Sequence, residues 1–142
     1  MYLVDTDVIS ESRKGQTANP GVRAFFRSAI RDESPLYISA VTIGELRRGV
    51  EKLRHRGDDT RRLERWLERL SKEYSEAILA FDEEIAQIWG RLRVPHAENP
   101  LDKQIAATAL IHDLTVATRN VAHFKSTGAR LLNPFDETQR EA

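Results

Sequence analysis

The chain has 142 residues, 40% of them hydrophobic and 31% charged, which suits one ordinary domain with a single core and a well-covered surface. Its 22 basic and 22 acidic residues give no net charge, which argues against a protein that coats nucleic acid by bulk electrostatics. The absence of cysteine excludes a disulfide framework, a thiol nucleophile and cysteine-ligated zinc, and is in keeping with a reducing cytoplasm.

Met1 leads directly into Tyr2-Leu3-Val4, a short apolar run that ends at Asp5 and reads as a buried strand. With no basic leader and no long apolar run, neither a secretory signal nor a membrane span is expected. Thr6-Asp7 offers helix-capping chemistry before a short helical segment through Ser12. Asn19-Pro20 reads as an N-cap followed by a proline at the first helical position, opening a helix with Val22, Phe25, Phe26 and Ile30 along one face.

Leu36 to Ser39 is the second strand. Thr42 to Arg54 follows as a helix with Ile43, Leu46 and Val50 on one stripe, broken by His55-Arg56-Gly57-Asp58-Asp59. A charged helix from Thr60 to Tyr74 carries Leu63, Trp66, Leu67 and Leu70, and pairs with the preceding helix as a hairpin. Ala77 to Phe81 is the third strand, and Asp82 caps a helix bearing Ile85, Ile88, Trp89 and Leu92. After the loop Pro95 to Pro100, Leu101 to His112 is a helix with a small-residue face of Ala106, Ala107 and Ala109. Leu114 to Ala117 is a fourth strand, ending at Thr118-Arg119-Asn120, and Arg130 to Pro134 adds an edge strand. There is no internal repeat, low-complexity segment or linker. The expectation is one domain over residues 1–142, with a polar tail from 135. Strands alternating with helices predict an α/β/α three-layer domain with a short, mostly parallel sheet and a helical hairpin.

In such sheets, ligands sit beyond the carboxyl ends of the strands. Asp5 and Asn120 each follow a strand at that end. Glu45, early in its helix, and Asp102, opening a later one, are the other positions of interest. Each has an ordinary explanation: Asp5 as an N-cap, Glu45 in a surface ion pair, Asp102 meeting a helix dipole, Asn120 stabilising a turn. No one of them carries the case. Gathered in one pocket, the carboxylates would repel one another, and a hard divalent cation with oxygen ligands is the simplest reason to gather them.

The stretches YLVDTDVIS (2–10), ISAVTIGELRRGVEKL (38–53), FDEEIAQIWGRLR (81–93), LDKQIAATALIHDLTVATRNVAHF (101–124) and LLNPFD (131–136) resemble a PIN domain. More narrowly, they resemble the VapC and FitB toxins of bacterial toxin–antitoxin pairs. The resemblance spans nearly the whole chain in the expected order. It implies a PIN-like fold and a metal-dependent ribonuclease whose acidic Mg2+ or Mn2+ site is Asp5, Glu45 and Asp102. It also implies a homodimer and an antitoxin partner, in a complex that extends beyond the dimer, all within the cytoplasm and apart from any membrane. Asn120 falls where many relatives carry a fourth acid. This neutral amide departs from the pattern and favours one tightly held ion over two. Thr6 and Thr118 are expected as polar neighbours of the ligands.

Two rival readings come from different classes. A catalytically weak binding module on the same fold is favoured by the neutral Asn120. Asp5-x-Asp7 after a strand also resembles haloacid-dehalogenase-type phosphatases, but these need a downstream lysine and a later acidic pair, whereas the strand through Val116 ends in Thr-Arg-Asn. The role expected of Asp7 is helix capping. DNA is a further substrate to weigh, because acidic metal sites hydrolyse either backbone. Basic residues concentrate on the hairpin, and Arg47 and Arg48, just after Glu45, are the candidate RNA contacts. Acidic residues interleaved among them favour a solvated face instead. His112 and His123 are expected at the surface or in packing, and Trp66 and Trp89, on apolar helix stripes, in core or interface packing rather than base stacking.

Overall fold

In the computed structural model, which describes residues 1–136, five short strands form one sheet. They are β1 (Tyr2–Val4), β2 (Leu36–Ser39), β3 (Ile78–Leu79), β4 (Thr115–Ala117) and β5 (Leu131–Leu132), in the order β3-β2-β1-β4-β5. Every neighbouring pair is parallel, with Tyr2 level with Leu36 on one side of β1 and with Thr115 on the other. A parallel sheet needs cover on both faces, and successive residues of a strand point to opposite faces. Accordingly, Leu3 and Val4 at the sheet's centre are both fully buried but belong to different hydrophobic clusters.

Val4's cluster is built by α1 (Thr6–Ser12), α2 (Pro20–Arg31), α3 (Ala40–His55) and α4 (Arg61–Glu73), through Val8, Val22, Phe25, Leu46, Val50 and Leu67. Tyr2, Phe25 and Phe26 meet edge to face, with ring centroids 5.1 and 5.3 Å apart. Leu3's cluster is built by α6 (Pro100–His112) and α7 (Val121–Phe124), through Ile105, Ala106, Ala109 and Phe124, while α5 (Glu83–Leu92) packs against α6. The alanine face of α6 is fully buried against the sheet, the close approach its small residues permit.

The caps explain where the helices begin. Asn19 accepts from the Gly21 and Val22 amides at 2.8 and 3.2 Å, and Asp82 from the Ile85 amide at 3.0 Å. Ser39 takes the Val41 amide at 3.0 Å, so α3 begins at Ala40, two residues before the expected Thr42. Other differences are local. β3 is two residues long, and Ile30 is 78% exposed because α2 turns its last apolar position away from the core. Asp5, not Asp7, caps α1. Phe135 is no part of a polar tail: it packs on the first cluster and lies beneath the Arg119 guanidinium, 4.6 Å from its ring centre. The rest of the expected tail, 137–142, lies outside the described residues.

Candidate active site

The register of β1 and β4 assembles the first part of the site. The Asp5 amide donates to the Ala117 carbonyl at 2.9 Å, which sets Asp5 beside Thr118 as the two strands end. The Thr118 hydroxyl donates to Asp5 Oδ2 at 2.8 Å and in turn accepts the Asn120 amide at 3.0 Å. Asp5 Oδ1 accepts the Thr6 amide at 2.8 Å. Asp5 is only 4% exposed. Burial, and then repulsion from Asp7 and Asp102, pushes its carboxyl from the ordinary 3.8 up to about 7 against the pull of those two hydrogen bonds.

Thr6 links this corner to α3. Its hydroxyl donates to Glu45 Oε1 at 2.9 Å and lies 3.1 Å from the hydroxyl of the fully buried Thr42. Burial, with repulsion from Asp102 and Asp7, raises the Glu45 pKa, while Thr6 and the Arg48 charge oppose the rise. Asp102 stands in the first turn of α6, behind Pro100, with its Oδ2 2.7 Å from His123 Nδ1. Asp7 completes the group. Its Oδ2 accepts the Arg119 amide at 3.0 Å, while Oδ1 is shut off from solvent without a hydrogen-bond partner among the described residues. Burial raises the Asp7 pKa, helped by Asp102 and opposed by the Arg119 and Val8 amides and the Arg119 charge.

Four carboxylates from α1, α3 and α6 and the end of β1 therefore share one electrostatic neighbourhood at the carboxyl edge of the sheet. The three acids picked out in the sequence are all present. Asn120 opens α7 without a side-chain capping bond. Arg47 is tied up with Glu51 and Glu64, at 3.6 and 3.4 Å, whereas Arg48 is the one whose charge is felt at Glu45. Sequence reasoning missed Asp7, Thr42 and His123. Asp7 had its signal, a second acid two residues after a strand end, but capping explained it too readily. His123 was expected in a surface or packing role, yet it is hydrogen-bonded to Asp102. A groove of about 550 Å3, lined by Ile9, Val22, Phe26, Trp66 and Leu70 among others, includes none of the four acids.

Residues 2–138 match the PIN domain family model. The chain belongs to the PIN-domain family. This PIN domain is 36% identical over 142 residues to toxin FitB of Neisseria gonorrhoeae, covering 96% of this chain and all of that one. It is 30% identical over 145 residues to a VapC ribonuclease of Sinorhizobium fredii, covering 96% and 99% of the two chains. Among solved structures, its fold superposes on FitAcB from Neisseria gonorrhoeae with a TM-score of 0.78 at 36% identity, covering 95% and 99%. It superposes on DNA-bound VapBC from Salmonella typhimurium with a TM-score of 0.71 at 26% identity, covering 94% and 97%. No helix among the described residues of this PIN domain is long and apolar enough to cross a membrane.

The donor chemistry suits the divalent cation that the family implies. The donors are all carboxylate oxygens, the kind Mg2+ and Mn2+ prefer. Three of the four acids are held above their ordinary pKa by burial and mutual repulsion, a cost that a cation removes, and Asp7 Oδ1 is a buried acceptor without a well-formed hydrogen bond among the described residues. As they stand, no three Asp, Glu or His side chains among the described residues are grouped closely enough to enclose one ion.

Proposed function

We propose that this PIN domain is a metal-dependent endoribonuclease, the toxin of a toxin–antitoxin pair, hydrolysing RNA phosphodiester bonds in the cytoplasm. The observation that carries this reading is the convergence of Asp5, Glu45, Asp102 and Asp7 on one edge of the sheet, at a mutual repulsion that serves no purpose in an inert fold. Kinship with toxin FitB and a VapC ribonuclease supports the toxin and nuclease assignments, and the likeness to FitAcB and VapBC structures supports an antitoxin partner. A homodimer, enlarged by the antitoxin, completes the proposed assembly.

In this mechanism Asp5, Glu45 and Asp102 hold the ion, with Asp7 adding charge beside them. Bound Mg2+ or Mn2+ supplies Lewis-acid stabilisation of the scissile phosphate and a water of lowered pKa. Thr118 and the Thr6 amide fix Asp5, and the Thr6 hydroxyl fixes Glu45, so neither side chain has to be ordered when RNA arrives. Asn120 is neutral and adjoins Thr118, and its amide is suited to orienting a water or a phosphate oxygen. Arg48 is the cation best placed to meet the RNA backbone beside Glu45. Arg47 is held in ion pairs and contributes less. No covalent enzyme intermediate is involved.

Replacing Asp5→Asn or Asp102→Asn should abolish cleavage of a fluorescent single-stranded RNA in Mg2+ and leave the circular dichroism spectrum unchanged. Cleavage by either variant at the wild-type rate would show that the assignment is wrong. A parallel single-stranded DNA substrate decides between the two backbones. The neutral Asn120 favours one second reading, a binding module of the same fold with little catalysis. Such a module would retain RNA without producing fragments.

A further inference from the structure

Each acid of the cluster is held differently, and among the described residues Asp102 is held by one side chain. Asp5 has the Thr6 amide and the Thr118 hydroxyl, Glu45 has the Thr6 hydroxyl, and Asp7 has the Arg119 amide. Among the described residues, the one hydrogen-bond partner of the Asp102 carboxylate is His123, at 2.7 Å from Nδ1 to Oδ2. A carboxylate in its ionised form can only accept, and in that form Nδ1 is the donor of this contact.

The imidazole is itself well anchored. His123 sits in α7, whose next residue, Phe124, is fully buried in the second hydrophobic cluster, and the His123 amide donates to the Asn120 carbonyl at 2.9 Å. The Asp102 side chain is 23% exposed and the His123 side chain 46%, so the pair lies near the surface rather than in the core. A surface contact of this kind contributes little to folding. What it does accomplish is to occupy Oδ2 and leave Oδ1 of Asp102 for another partner.

We propose that His123 is a positioning residue for the cation: by hydrogen-bonding Asp102 it restrains the carboxylate that would share the ion with Asp5 and Glu45. The inference rests on the proposed metal-dependent function and adds a residue that acts through Asp102. Partners that hydrogen-bond a metal-ligating carboxylate typically change metal affinity by about 10- to 100-fold when removed.

The test is Mn2+ binding by the full chain without RNA, read by electron paramagnetic resonance of free Mn2+, together with the metal-free melting temperature. His123→Ala should weaken Mn2+ binding by about 10- to 100-fold and leave the metal-free melting temperature unchanged. His123→Asn places an amide N–H close to where Nδ1 was, and should restore affinity to within a few-fold. His123→Gln, whose amide corresponds to Nε2, should restore less. Raising Mn2+ to saturation should recover most RNA cleavage by His123→Ala, as expected when the defect lies in holding the ion. Wild-type affinity in His123→Ala would overturn the inference, and so would failure of His123→Asn to improve on alanine. Asp102→Asn is the control that separates the two readings. If it loses Mn2+ while His123→Ala does not, His123 has no such role and the nuclease reading survives. If the wild-type chain takes up no Mn2+, both fall.

Discussion

Asp5 shows what the site costs the fold when no ion is present. Its carboxyl is pushed up to about 7, from 3.8, chiefly by burial and then by Asp7. Between these values the folded protein holds a proton that the unfolded chain has released, so stability must fall as pH rises from about 4 to 7 and stay low above that. The size of the loss is on the order of 4 kcal/mol at most. Thermal melts of the metal-free protein should show a lower melting temperature at pH 8 than at pH 5, with Mn2+ restoring much of the difference at pH 8. Asp7→Asn removes one of the repelling charges and should flatten that pH dependence, while a pH profile identical to wild type would show that Asp7 does not act on Asp5. At this scale the sequence was informative where an acid had a single plausible purpose and ambiguous where it had two. Asp5, Glu45 and Asp102 stood out through their motifs. Asp7 was hidden because a second acid after a strand looks like a helix cap, and only the fold shows that Arg119, 112 residues later, receives its carboxylate. His123 was hidden for a similar reason, since nothing local says that α7 sets its imidazole against the start of α6.

Elements were more legible than residues because their signals are local and repeated. The capping residues Asn19 and Asp82 and the alternation of strands and helices led directly to most of the elements observed along the chain. The misjudged boundaries have physical causes. Ser39 is both the last residue of β2 and the cap of α3, so no loop separates them, and α3 begins earlier than its apolar stripe indicated. β3 keeps only two residues because its pairing with β2 is confined to Ile38–Ile78 and Ser39–Leu79. The least legible contact joins the start of α2 to the segment after β5: a Cβ on Gly21 would stand 2.2 Å from the Pro134 carbonyl oxygen. That oxygen belongs to backbone and cannot swing aside. Gly21→Ala should therefore destabilise the protein by about 1–3 kcal/mol in a urea titration, although alanine is the better helix former. A neutral or stabilising effect would show that the segment after β5 does not press on α2.

For the whole molecule, the sheet's register is what turns scattered acids into a site. One residue of slippage between β1 and β4 would carry Asp5 to the opposite face and away from Thr118. The family and the three-layer architecture were legible because they are spread over the chain, as the match across residues 2–138 reflects. If the cleft is a toxin's, inducing this chain alone should arrest growth and co-expressing its antitoxin should relieve the arrest, whereas equal growth in both conditions would count against that role. The central claim is that the four acids are gathered to hold a hard cation, and its most direct test is the anomalous difference map of a crystal soaked in Mn2+. The account predicts a peak coordinated directly by Asp5 and Asp102, with the Glu45 carboxylate drawn towards it. A map with no peak in the cleft, in a crystal that leaves it open to solvent, would contradict it.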